Sequence, residues 1–197
     1  DGVFFKCDPV QVFCGGGDEY GSPDLKWLGS DSSNYYNSYD LKSESGWGEL
    51  MGIIQTLNSD FDNLGEVLNI DRVLWAFAVN SAILNLDTYN GYYIHNFYLY
   101  QTEDGLFQMI PWDFDNAFAG AILGWEYFEP ELVYNFDTYG TQFTPNERPL
   151  LQKLLAEPLY KKQFDAHLRT ILNESLLDTA SIRDDVSQLH DVAYNAV

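Results

Sequence analysis

The chain has 197 residues, with 30 acidic against 10 basic side chains and a formal charge of −20. Hydrophobic residues at 46% and aromatics at 16% are those of a folded domain with one sizeable core, not of a disordered chain. The charge argues against reading of a nucleic-acid backbone, which needs a basic stripe, and against an anionic membrane surface; no apolar run is long enough to span a bilayer. The acidic exterior reads as a solvated surface, and it also fits a cation-rich exterior or recruitment of a basic substrate.

The chain opens at Asp1-Gly2-Val3-Phe4-Phe5-Lys6 as if already inside a strand, the start expected of a mature or excised fragment. Cys7 and Cys14 are its only cysteines, and their C-x6-C spacing matches no zinc pattern. A bridge between them would contribute roughly 2.5 kcal/mol in the chain-entropy model and fit an oxidising compartment; two reduced thiols are the alternative. Residues 8–48 read as loop, with short strands at Val10–Phe13 and Tyr39–Lys42. The triple glycine Gly15-Gly16-Gly17 lacks the Lys-Ser/Thr of a phosphate loop and reads as a turn.

From Gly48 the period becomes helical: Leu50, Ile53, Ile54 and Leu57 share one face. A short helix through Phe61–Val67 follows. Asp71 is then placed to cap a long helix whose Val73, Leu74, Phe77, Ala78, Ser81, Ala82 and Asn85 share a face, ending near Asn85-Leu86-Asp87. Ile94–Gln101 and Phe107–Trp112 read as two strands, and Asp104-Gly105 between them is a strong hairpin signal. An aromatic loop region spans 116–147. Helices are expected over 149–156, 158–173 and 179–195, with Pro149 and Pro158 near helix starts. The pattern predicts an α+β fold, mainly helical, with a central β-hairpin, in a single domain over 1–197.

The densest chemical signal is Ile110-Pro111-Trp112-Asp113-Phe114-Asp115. In an extended segment, Asp113 and Asp115 point to one face about 7 Å apart along the backbone. Two carboxylates converging to 4 Å repel by about 1 kcal/mol in water and about 4 kcal/mol at an effective dielectric of 20. A divalent cation removes that cost, and hard oxygen ligands suit Mg²⁺, Mn²⁺ or Ca²⁺. The plain alternative is a surface turn. Asp87, Asn96 and Asp113 all fall at element ends, where side chains can meet over one pocket. A proton-accepting Asp, a metal-binding Asn and a metal-binding Asp after a hairpin form the layout of phosphoryl transfer. His95 by itself reads as a satisfied structural histidine.

Three segments together carry a resemblance: Asn85-Leu86-Asp87, His95-Asn96-Phe97-Tyr98-Leu99-Tyr100, and Ile110-Pro111-Trp112-Asp113-Phe114-Asp115-Asn116-Ala117-Phe118. With them the chain resembles the spore coat protein H (CotH) kinases, atypical kinase-like proteins that are secreted or surface-associated. Weaker support comes from Asp1–Lys6, Tyr39–Lys42 and Asp71 with its helix.

The resemblance implies an atypical protein-kinase-like C-lobe that transfers the γ-phosphate of ATP to a Ser or Thr hydroxyl of a protein substrate, with Mg²⁺ or Mn²⁺. It makes Asp87 the catalytic-loop aspartate, Asn96 its metal-binding partner, Asp113 the metal aspartate and Asp115 a second metal ligand. Phe107 stands where the family commonly has a Trp that stacks on adenine. The segment Thr88–Ile94 is longer than the family's usual spacing. The family's upstream β-rich nucleotide lobe, with its phosphate-pairing lysine, is not within these residues; Lys6 and Lys42 are the lysines on plausible strands that would substitute. A secreted or cell-surface location is implied too.

Two other readings stand beside the enzyme. One is a non-catalytic secreted or surface module of the same fold that binds a cation or a partner protein. The other is a carbohydrate-binding module, prompted by 14 Tyr and 5 Trp; core packing accounts better for most of those rings.

Overall fold

The computed structural model describes residues 2–9, 21–85, 87–91, 94–119 and 148–195. Strand β1 (Phe4–Cys7) comes first, then β2 (Asp40–Leu41), helix α1 (Trp47–Ser59) and helix α2 (Ile70–Ala82). The hairpin β3 (Phe97–Gln101) and β4 (Phe107–Pro111) follows, and helices α3 (Pro149–Ala156), α4 (Pro158–Ile171) and α5 (Thr179–Asn195) close the chain. The expected strand Val10–Phe13, the triple glycine, Cys14 and most of the aromatic loop lie outside the described residues. Cys7 is a free, buried cysteine.

The fold is α+β, as expected, but its β part is larger than a hairpin. The four strands form one antiparallel sheet in the order β2-β1-β3-β4. Pairing of β1 with β3, Phe5 opposite Leu99 and Cys7 opposite Phe97, joins segments ninety residues apart, which no local pattern announces. Alternation sorts the two faces. Phe5, Cys7, Phe97, Leu99, Phe107 and Met109 are buried, while Phe4, Lys6, Tyr98, Tyr100 and Ile110 are only partly covered. Gly105 at the hairpin tip has φ +86, and Gly105 N–H donates to Thr102 O at 2.9 Å; this is the turn that Asp-Gly predicts.

Leu50, Ile53, Ile54 and Leu57 of α1 are all buried, the face read from the periodicity. A 13-residue helix is marginal alone; each of those side chains contributes about 1.5–3 kcal/mol by leaving water. They pack with Val73, Leu74 and Phe77 of α2, Leu150, Leu151 and Leu154 of α3, and Phe164 of α4 beneath the sheet. Among the described residues no helix is long and apolar enough to cross a membrane.

Both ends of α2 differ from expectation. The cap is Asn69, whose side chain accepts from Arg72 N–H at 3.1 Å, because an N-cap must sit just outside the first turn with extended backbone. Asp71 is inside that turn and instead accepts from His167 Nε2 at 2.8 Å. The helix stops at Ala82. Leu84 takes a left-handed φ of 51, Leu84 N–H donates to Ser81 O at 3.2 Å and Asn85 N–H to Asn80 O at 2.8 Å. That pair of bonds is a Schellman stop, with leucine in the place glycine usually takes. The stop turns the chain sharply and delivers Asn85 and Asp87.

Candidate functional site

Asparagines set the path from the end of α2. Asn80 Nδ2 donates to Thr88 Oγ1 at 3.2 Å, Asn85 Nδ2 donates to Asn80 Oδ1 at 3.2 Å, and Asn85 Oδ1 accepts from Asp87 N–H at 3.1 Å. Asn80, Asn85 and Thr88 are buried, so these bonds are made in low dielectric and hold the backbone firmly. The loop beyond is anchored as well. Tyr89 lies in the core against Phe77 and Phe97, and its hydroxyl donates to Asp24 O at 3.0 Å. Arg148, 3% exposed, donates from Nε to Tyr89 O at 3.0 Å and from Nη2 to Gly91 O at 2.8 Å. The long segment after Asp87 is therefore a buried clamp at Thr88–Gly91.

The Asp87 carboxylate is held on both oxygens. His95 Nε2 is 2.5 Å from Oδ1, while Asn96 Nδ2 and Asn116 Nδ2 donate to Oδ2 at 3.2 and 3.0 Å. Asn96 Nδ2 also donates to Asp87 O at 3.0 Å. His95 Nδ1 faces Asp8 Oδ1 at 3.8 Å. Asn96 precedes β3 with φ 58, a left-handed conformation that Asn tolerates. The turn aims its side chain across at Asp87 instead of along the strand.

Asp113 and Asp115 follow β4, but not in the extended form expected. The strand ends at Pro111, and Asp113 adopts φ 57. The two acids meet through a turn. Burial first, then the charge and hydrogen bond of Asp115, then the charge of Asp87 push the Asp113 carboxyl above its ordinary value. The structure thus brings Asp87, Asn96, Asp113 and Asp115 to one end of the β3–β4 hairpin.

Phe107 does not join them. It is 1% exposed in the core, and the backbone on either side is bonded to the loop before α2: Phe107 N–H donates to Val67 O and Asn69 N–H to Phe107 O, each at 2.9 Å. Its ring has no solvent-facing side to offer a base. The inward register of β4 decides this.

The donor set at this end of the hairpin limits which cation it could hold. Among the described residues no three His, Cys, Asp or Glu side chains form a ready cage. Two carboxylates and an amide remain: Asp113, Asp115 and Asn96, whose Nδ2 is spent on Asp87 and whose Oδ1 is left over. That set fits a Mg²⁺-like ion, which commonly takes one or two carboxylates and fills its remaining positions with water and substrate phosphates.

The chain matches the family described as CotH kinase protein over residues 1–197. It belongs to that family. No curated protein and no solved structure matches the chain. The motif segments that carried the resemblance are the ones that surround Asp87. Three contributors were not among the expected site residues: His95, read as a structural histidine, Asn116 and Asp8. Asn116 sits inside the motif itself, but its partner is 29 positions away, and only folding joins them.

Proposed function

We propose that the chain is an atypical protein kinase with a kinase-like C-lobe, moving the γ-phosphate of ATP to a Ser or Thr hydroxyl of a protein in the presence of Mg²⁺ or Mn²⁺. One observation carries the reading: a carboxylate held on both oxygens by His95, Asn96 and Asn116, next to the mutually repelling pair Asp113 and Asp115. Membership of the CotH kinase protein family supports it. A secreted or surface location belongs to the same proposal, consistent with so acidic an exterior.

The acceptor hydroxyl oxygen would bond to the γ-phosphorus as the bond from that phosphorus to the β–γ bridging oxygen breaks, and ADP leaves with the electron pair. Asp87 takes the hydroxyl proton, and its three side-chain donors fix the direction in which it accepts. A cation held by Asn96, Asp113 and Asp115 would supply neutralisation of the phosphate charge. Phe107 has no part in it.

A second reading is favoured by the full bonding of Asp87, which also suits a structural carboxylate: a non-catalytic module that binds a cation or a partner protein. Thermal melts with Mn²⁺, with and without ATP, on the parent and on Asp113→Asn separate the two. Binding to the native state raises stability by about 2.7 kcal/mol at a hundredfold excess over Kd. The kinase reading expects an ATP-dependent shift that Asp113→Asn loses, and labelled phosphate from ATP on an acceptor protein. A metal shift indifferent to ATP, with no transfer, supports the module instead.

A further inference from the structure

We infer that helix α5 pairs with α5 of a second copy of this chain, as a parallel two-stranded coiled coil closed along Ile182, Val186, Leu189 and Ala193. Helices α1 to α4 each bury part of one face, whereas no residue of α5 is buried. Val186, Leu189 and Val192 are 60%, 69% and 70% exposed. Apolar residues scattered singly over a surface are ordinary, but these share one side of a helix, and a continuous apolar stripe of that kind is made to face another element. The pairing does not depend on the kinase reading and uses no residue around Asp87.

Spacing defines the seam. Ile182, Val186, Leu189 and Ala193 are separated by four, three and four positions, the alternation that keeps one seam of a helix against its partner. Thr179, Val186 and Ala193 then stand at a positions of the heptad, and Ile182 and Leu189 at d. A β-branched residue at a with Leu at d favours two parallel strands, and Val186 with Leu189 is that combination. The helix has 17 residues, so the seam runs about 25 Å.

Charge selects a second copy as the occupant and sets its direction. Asp178 and Asp185 flank the seam on one side, at g positions, and Arg183 and His190 flank it on the other, at e. In a parallel pair each g position meets the e position of the next heptad on the other helix. Asp185 therefore meets His190 of the second copy and Asp178 meets its Arg183, each twice by symmetry. An antiparallel pair would set like flank against like flank. The groups are available for this: among the described residues neither Arg183 nor Asp185 has an ion pair within the chain. Asp178 Oδ1 caps α5 by accepting from Ser181 N–H at 3.1 Å, and a carboxylate has a second oxygen to offer. His190 Nδ1 lies 3.6 Å from Asp191 Oδ1, too far for a hydrogen bond.

The test is sedimentation equilibrium of the parent, Leu189→Asp and Gln188→Asp at physiological ionic strength, where repulsion between two bodies of charge −20 is screened beyond about 8 Å. A seam this short makes a weak, transient interface, so the parent's mass should climb from one chain toward two between about 5 and about 500 μM. Burial of one Leu side chain corresponds to about tenfold to hundredfold in an equilibrium. Leu189→Asp removes one from each copy and is expected to weaken the dimer by about a hundredfold or more, leaving a monomer throughout. Gln188→Asp adds the same charge off the seam and should dimerise like the parent. Because α5 buries nothing, both variants should melt with the parent when dilute, which separates a lost dimer from a lost fold. Direction is read by mild oxidation, with the parent, which carries Cys7 and Cys14, as the control. Ala193→Cys should crosslink to itself; crosslinking instead to Thr179→Cys in a mixture of the two variants would overturn the parallel arrangement. A parent that stays monomeric at the highest concentration overturns the inference and leaves the stripe to a helix of another protein. Association that Leu189→Asp does not weaken overturns it as well.

Discussion

Asn96 and Asp113 mirror each other across the open end of the β3–β4 hairpin. Both leave the sheet through a left-handed residue, with φ of 58 and 57, and Trp112 N–H donates to Asn96 O at 3.2 Å between them. Two residues in a sparsely populated conformation turn their side chains off the strand path and toward Asp87. Strain of this kind persists where surrounding bonds over-determine it, and it collects at functional sites.

The backbone requirement gives an inverted residue order at these two positions. Glycine enters the left-handed region freely, whereas alanine is strained there by about 1–2 kcal/mol. Asn96→Gly is therefore expected to be more stable than Asn96→Ala by about 1 kcal/mol, and Asp113→Gly more stable than Asp113→Ala by a similar amount. Urea unfolding of the four variants checks it; alanine equal to or above glycine at both positions would sink the claim.

Asp113 should also make the protein's stability depend on pH. Its carboxyl is raised by burial and by Asp115 and Asp87, so the native state holds that proton more tightly than the unfolded chain. Stability contributed by this group is present at acid pH and is lost as pH rises from the ordinary 3.8 through the raised native value. Without cations, Asp113→Asn is expected to be more stable than the parent at neutral pH by about 1 kcal/mol, the repulsion of two carboxylates 4 Å apart in water. The gap should close as pH falls below the ordinary value. Melts in chelator across that range decide the matter, and a parent more stable than the variant at neutral pH would contradict it.

At the end of α2, Leu84 occupies a position made for glycine. Leu84→Gly relieves the left-handed strain and loses some side-chain burial, so its stability should stay within about 1 kcal/mol of the parent. Leu84→Val puts a β-branched side chain in the same conformation and should cost about 1–3 kcal/mol. Because this turn delivers Asp87, the valine variant is also expected to weaken Mn²⁺ binding in melts.

Arg148, the residue that precedes α3, holds the loop after Asp87 from 57 positions beyond Gly91. Arg148→Met keeps the apolar stem but strips donors from the buried carbonyls of Tyr89 and Gly91. Leaving such groups unpaired costs about 1–3 kcal/mol each, so a loss of about 2–5 kcal/mol is expected in denaturant unfolding. An unchanged midpoint would show that the clamp is dispensable.

Cys7 is fully buried, and burial followed by the charge of Asp8 pushes its thiol well above the usual range. Reaction with iodoacetamide needs the thiolate. Peptide mapping should find Cys7 unmodified in the native protein and modified in denaturing urea.

Much of this was legible from residues alone because its causes are local. The apolar spacing of Leu50, Ile53, Ile54 and Leu57, the prolines opening α3 and α4, and the Asp104-Gly105 turn each act within a few positions, so they mark α1, the C-terminal helices and the hairpin directly. The motif segments around Asp87, Asn96 and Asp113 were visible for the same reason, and they carried the family. What only the tertiary structure decided are the pairings across long stretches of chain. These are β1 between β2 and β3, Asn116 and His95 on Asp87, Arg148 on Gly91, and Lys6 beside Trp112. Phe107 shows the same divide from the other side: its ring looked available in sequence, yet strand register turned it into the core. Periodicity specifies which face of an element is apolar, but which element covers that face depends on the sum of packing over the whole chain.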